Sequence, residues 1–150
     1  MFGVNQLSPN TSPKEKQMTI FSKIVDRAIP AHIVAETTEF LAFLDINPLV
    51  MGHVLVIPKA EIDYIFDMDD EHYFGLNLFA KIVAKGLKKA FPCERIGVSI
   101  IGLEVPHVHI HLIPMNTVDD VNFTREKLKP TEEELATAAA KIRTALSGGE

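Results

Sequence analysis

Apolar positions recur along this chain with two different periods, and the switches between them lay out the elements. Ile20, Phe21, Ile24 and Val25 fall at helical spacing and predict a short helix over residues 21–27, closed by Pro30. Residues 32–36 and 40–45 are short apolar-rich runs separated by Thr37, Thr38 and Glu39, which reads as two strands of a hairpin. Asn47-Pro48 is a turn signal, and HVLVI at residues 53–57 is a third strand stopped by Pro58. The helical period returns over residues 69–90, with Leu78, Phe79, Ile82, Val83, Leu87 and Ala90 on the apolar face. Asp69, Asp70 and Glu71 suit the positive end of that helix, and Lys85, Lys88 and Lys89 the negative end. Residues 95–101 and 106–113 read as the fourth and fifth strands. A last helix starts at Thr131, where Glu134 completes a capping box, with Leu135, Ala138, Ala139, Ile142, Ala145 and Leu146 along its apolar side. The pattern predicts an α+β fold: a mostly antiparallel five-stranded sheet, one long helix, a short N-terminal helix and a C-terminal helix. The narrow, Ala-rich face of the last helix docks on the sheet or on a second subunit.

Composition sharpens this in a few places. No linker or repeat divides the 150 residues, so residues 18–150 are one domain. Residues 1–17 form a polar leader expected to be disordered, and Met18 is a candidate natural start. A net charge of −5 argues against a partner such as nucleic acid or an anionic membrane surface, yet leaves room for a small phosphate ligand in a local site. With the single cysteine Cys93, neither an internal disulfide nor a thiolate metal cluster can form. No apolar run is long enough to span a membrane, and the N-terminus lacks a signal pattern, so a cytoplasmic location is expected.

The chemistry concentrates in PHVHIHLIP. His107, His109 and His111 alternate with Val108, Ile110 and Leu112, so on a strand the three imidazoles share one face and the aliphatic residues the other. A merely solvated face is a poor account of three alternating histidines flanked by core residues. A metal site is a second reading, since imidazole is a common zinc ligand, with His53 or Glu104 as further donors. The outer two Cα atoms lie about 13 Å apart, however, which strains a shared ion. Phosphate chemistry is the third reading. A neutral imidazole is nucleophilic near neutral pH, a hydrogen bond at one nitrogen aims the other, and neighbouring rings neutralise phosphate oxygens.

These residues resemble the His-x-His-x-His-x-x signature of the histidine-triad family. IFSKIV, FLDINP and GHVLVIPK stand upstream in the order that family shows, and the likeness runs over roughly residues 18–115. The resemblance implies a homodimer whose sheets join, and hydrolysis or transfer at the α-phosphorus of purine nucleoside phosphoramidates or dinucleoside polyphosphates. It implies His109 as the nucleophile forming a nucleotidyl-histidine intermediate, His107 orienting it, and His111 on phosphate oxygens or the leaving group. His53 stands beside the triad. Ile20, Phe21, Ile24, Phe43, Ile46 and Leu55 surround the base, and Asp45 takes the ribose hydroxyls. Without the family, the apolar set reads first as plain core packing, and Asp45 equally as a turn carboxylate before Asn47-Pro48.

Two departures stand out. Leu103 and Glu104 occupy positions where many members carry a Gln and a small hydroxyl residue that contact phosphate. Glu104 orients a histidine, binds a cationic leaving group or points away. Some bacterial members hold a structural zinc through a Cys-x-x-Cys pair around the IFxK motif, but Thr19 and Ser22 stand there in this chain, so no metal and no cofactor are expected. Two alternatives remain open: a purine-nucleotide-binding module with little turnover, and a metalloenzyme built on two triad histidines.

Overall fold

A computed structural model describes residues 18–148 of the chain. The expectation for residues 1–17 falls outside them. The elements are α1 (Ile20–Val25), β1 (Ile33–Glu36), β2 (Phe40–Leu44), β3 (Val54–Pro58), α2 (Asp70–Ala90), β4 (Arg95–Ser99), β5 (Ile110–Met115) and α3 (Glu132–Gly148). The strands form one antiparallel sheet in the order β1-β2-β3-β5-β4. The α+β class and the five-stranded antiparallel sheet are as the sequence pattern indicated.

Both faces of the central strands are covered, which is why β2 and β3 read as continuous apolar runs rather than an alternation. On one face, Ala42, Leu44, Val54, Val56, Val108, Ile110 and Leu112 pack against Leu76, Phe79, Ala80, Val83 and Leu87 of α2 and Leu135, Ala138, Ala139 and Ile142 of α3. On the other, Leu41, Phe43, Leu55 and Ile57 meet Phe21 and Ile24 of α1. The capping box of α3 forms as read: Thr131 N–H donates to Glu134 and Glu134 N–H to the Thr131 hydroxyl. Asp69 caps α2 by accepting from the His72 N–H. The C-terminal helix docks on α2 and on β1, whose Ile33 carbonyl accepts from Arg143. That covers one edge of the sheet and leaves β4 as the other.

Two readings are corrected, and two short elements are new. The fifth strand is Ile110–Met115, not residues 106–113, because Pro106 has no N–H to give and the Val108 N–H turns to the Ile62 carbonyl. The alternation survives that irregular approach, since Val108 reaches the core with Ile110 and Leu112. Leu78 and Ile82 of α2 are 59% and 55% exposed rather than on its buried stripe. Single-turn 3-10 helices at Ile65–Asp67 and Val118–Val121 carried no periodic signal and were not foreseen.

Candidate active site

The register Leu55↔His111 sets β3 beside the histidine segment, and α1 lies over it. Four of the six histidines of the chain gather here: His53 and His107 are 1% and 0% exposed, and His109 and His111 each 8%. The remaining two are elsewhere, His32 against Glu132 and His72 against Asp69 and Glu39. The His109 and His111 rings meet edge to face at 4.9 Å, and Phe21 packs edge-on against His109, also at 4.9 Å.

Hydrogen-bond bookkeeping fixes the tautomer of each ring, because a carbonyl only accepts and a backbone N–H only donates. His107 Nε2 lies 2.8 Å from the Pro58 carbonyl, so Nε2 carries the hydrogen and Nδ1 the lone pair. The Thr19 hydroxyl, 2.8 Å away, donates to that lone pair. His109 Nδ1 lies 2.7 Å from the His107 carbonyl and donates to it. In its neutral form the His109 ring therefore has its lone pair on Nε2. At His53 the order is reversed: the Leu49 N–H donates to Nδ1 at 3.1 Å, so Nε2–H donates to His111 Nδ1 at 2.9 Å. His111 in turn carries its hydrogen on Nε2. One backbone N–H thus sets a two-ring chain whose free end is a donor, next to a ring whose free end is a nucleophile.

Burial keeps the His53, His107 and His111 rings neutral. It lowers the His53 pKa to about 3, helped by the nearby charges of His111 and Lys127, and the His111 pKa to about 4, helped by His109 and Lys127. Burial likewise lowers His107, against the carbonyl of Pro58 and the charge of Glu61. His111 thus faces a ligand as a neutral hydrogen-bond donor at pH 7, not as a cation. Asp45 is pushed up by burial, against the Asn47 N–H that its carboxylate accepts at 2.9 Å.

The loop carrying Asp45 and His53 turns at Gly52, whose φ of +92° is in the left-handed region. A Cβ there would lie 3.0 Å from the Phe91 ring and 3.2 Å from Pro114. Gly52→Ala is expected to destabilise the protein by roughly 1–3 kcal/mol, through backbone strain and crowding together. Thermal unfolding of the variant checks this; an unchanged melting temperature would mean the loop relaxes freely.

Phe21, Ile24, Phe43 and Leu55 are brought together beside the histidines, all buried. Ile20 and Ile46 are 51% and 56% exposed and stand outside that cluster. Asp45 sits at the site, one carboxylate oxygen 3.8 Å from His53 Nε2. Glu104 is exposed on the loop before Pro106, and its charge reaches Asp45. Leu103 is 88% exposed, so neither departure residue is buried against the triad.

Sequence reasoning missed a segment that closes the His111 side. The Phe123 ring lies edge-on 4.7 Å from His111 and 6.3 Å from His53. Its strap is pinned to the Asp45–His53 loop by Arg125 on the Leu49 carbonyl and by the Leu128 N–H on the Pro48 carbonyl. No motif announces these long-range contacts.

Asp45, His53 and His111 place three possible donor atoms within 4.8 Å of one another. An ion there would have to use His53 Nε2 as a lone pair, which moves the hydrogen to Nδ1 and sets it against the Leu49 N–H. Two donors would then face each other at 3.1 Å in a buried position, which disfavours the metal-bound tautomer.

Comparison with known proteins gives a consistent likeness. A model described as "HIT domain" matches residues 26–118. An uncharacterized HIT-like protein of Borreliella burgdorferi is 37% identical over 113 residues, 71% of this chain and 81% of that protein. A purine nucleoside phosphoramidase of Escherichia coli is 35% identical over 105 residues, 63% of this chain and 85% of that one. Among solved structures, a Hit-like protein involved in cell-cycle regulation from Bartonella henselae superposes with a TM-score of 0.74 at 33% identity, covering 85% of this chain and 95% of that one.

Proposed function

The chain belongs to the HIT domain family, and from that premise we propose that it is a hydrolase or nucleotidyl transferase acting at the α-phosphorus of purine nucleoside phosphoramidates or dinucleoside polyphosphates. The observation that carries this reading is the 2.7 Å hydrogen bond from His109 Nδ1 to the His107 carbonyl, which leaves Nε2 as a fixed nucleophile. Nε2 attacks phosphorus, the bond from phosphorus to the leaving group breaks, and the leaving group departs with a proton from water. Water then cleaves the phosphorus–nitrogen bond, releasing the nucleotide and returning the lone pair to Nε2. His111 Nε2–H donates to a phosphoryl oxygen as charge builds on it, without itself giving up its hydrogen. No step calls for a metal or cofactor, so a chelator leaves turnover unchanged. Hydrolysis of adenosine phosphoramidate by the purified protein tests the reading.

Phe21, Ile24, Phe43 and Leu55 form the base wall in this reading, with Ile20 and Ile46 at its exposed rim, and Asp45 accepts from both ribose hydroxyls. Asp45→Ala is expected to raise KM for the ribonucleotide substrate about tenfold and to leave a 2′,3′-dideoxy substrate within about twofold. Equal losses on both would remove the ribose role.

A second reading, a nucleotide-binding module with little turnover, draws on Leu103 and Glu104 standing where phosphate contacts are expected. Tight AMP binding without cleavage of any conjugate would favour it.

The protein works as a homodimer in this proposal. β4 is an open edge, and Ile96 packs into the core on the α2 side, so Val98, 64% exposed, shares that side. Phe74, Leu78 and Ile82 form an exposed stripe at i, i+4, i+8 on α2, and a second copy covers both. Leu78→Glu combined with Val98→Glu is expected to give a monomer by light scattering; a persistent dimer would place the interface elsewhere. A cytoplasmic location fits the lone Cys93 and is part of the same proposal; among the described residues, no helix is long and apolar enough to cross a membrane.

A further inference from the structure

Behind the triad, the buried Thr19 and Ser22 and the half-buried Glu61 gather around the buried His107 ring, and no step of the proposed reaction uses their side chains. Thr19 and Ser22 are 9% and 8% exposed. The Thr19 hydroxyl accepts from the Ser22 N–H at 3.0 Å, which caps α1, and this directs its own hydrogen to His107 Nδ1. The Ser22 hydroxyl lies 3.5 Å from the same Nδ1 but 2.7 Å from a Glu61 carboxylate oxygen, so its hydrogen goes to Glu61. That oxygen also accepts from the Thr19 N–H at 3.2 Å. The hydroxyl hydrogens of Thr19 and Ser22 thus each have one direction, and Thr19 is the group that satisfies Nδ1 of a fully buried ring. The same residue His107 offers its carbonyl to His109 Nδ1, so whatever holds the His107 ring holds the aim of the nucleophile.

We propose that Thr19 is a positioning residue for the nucleophile: its hydroxyl donates to His107 Nδ1, locks the Nε2–H tautomer and so fixes the carbonyl that orients His109, while Glu61 directs the surrounding hydrogens. The catalytic part of this rests on the reading of His109 given above. The role differs from helix capping, because capping needs only an oxygen that accepts from the Ser22 N–H, whereas positioning needs a hydroxyl that also donates.

Three substitutions separate the two. Thr19→Ser keeps both functions, Thr19→Asp keeps an acceptor for the cap and loses the donor, and Thr19→Val loses both. The Val and Asp variants are expected to lose about tenfold in kcat on adenosine phosphoramidate with KM within about twofold, and Ser to restore it. Long-range proton–nitrogen correlation spectra of the full chain labelled at histidine supply the second readout: His107 shows a bare Nδ1 and a protonated Nε2 in the unsubstituted and Ser proteins, keeps that pattern in the Val protein with the Nδ1 resonance shifted by loss of the donor, and gains a hydrogen on Nδ1 in the Asp protein, where a carboxylate faces it. If Asp behaves as Ser in both measurements, Thr19 is only a cap and the proposal is overturned. It is overturned equally if His107 of the unsubstituted protein carries its hydrogen on Nδ1. Should Thr19→Val fail to fold, the Ser and Asp pair decides. The spectra do so even if no conjugate is cleaved, an outcome that would sink the hydrolase reading and not the tautomer.

Discussion

Replacing His109 with glycine is expected to lower turnover of adenosine phosphoramidate by about 10⁴-fold or more, with AMP still bound and the melting temperature little changed. The size of the effect follows from what is removed. In the proposed reaction His109 brings the attacking lone pair, and neither neighbour can take its place. His107 Nε2 is committed to the Pro58 carbonyl and its Nδ1 to Thr19. His111 carries a hydrogen on its outer nitrogen, set by His53 and the Leu49 N–H. Three imidazoles within five residues therefore hold one available nucleophilic nitrogen. Steady-state rates of the two proteins at saturating substrate check this, and a variant retaining a tenth of the rate would mean that another group attacks phosphorus.

The second large effect is on stability, and its sign comes from the same buried rings. His53 and His111 have folded pKa values of about 3 and about 4, against an ordinary value of 6.5. Below pH 6.5 the unfolded chain binds protons at these two positions that the folded chain refuses. Stability is therefore full above that pH, falls as pH drops through it, and stops falling on their account only below the folded values. The loss between pH 7 and pH 4 is on the order of 5 kcal/mol, a large part of the stability of a domain this size. Asp45 works the other way: its raised pKa favours the folded state once it is protonated, so it offsets a small part of the loss. Urea unfolding at pH 7 and pH 5 measures the slope. Equal midpoints would mean that the two rings titrate normally and are not held in the neutral chain described.

Much of this site was legible in the residues because a strand writes its two faces in alternate letters. Val108, Ile110 and Leu112 go to the core as the pattern required, and the histidines go to the other side, even though the first two precede the hydrogen-bonded part of β5. The capping box at Thr131 and Glu134 is local chemistry, so it too could be read directly. Periodicity alone was weaker on α2. A long helix with two adjacent apolar stripes does not say which one meets the sheet, and Leu78 and Ile82 belong to the outer one. What could not be read is what lies far along the chain. Thr19 meets His107 across 88 positions and Phe123 meets His53 across 70, through hydrogen bonds and ring contacts that no spacing rule encodes. The tautomers belong to the same class: they depend on which carbonyl or N–H faces each ring nitrogen, and only the folded backbone supplies that.

The central claim is that one nitrogen, Nε2 of His109, bonds to phosphorus. Rapid quenching of the enzyme during turnover of adenosine phosphoramidate, followed by peptide mapping by mass spectrometry under conditions that preserve phosphorus–nitrogen bonds, tests it most directly. The account predicts an AMP adduct on His109 that forms and decays at the catalytic rate and is absent from the His109→Gly protein. Turnover with no adduct on any histidine, or an adduct on His107 or His111 instead, would contradict it.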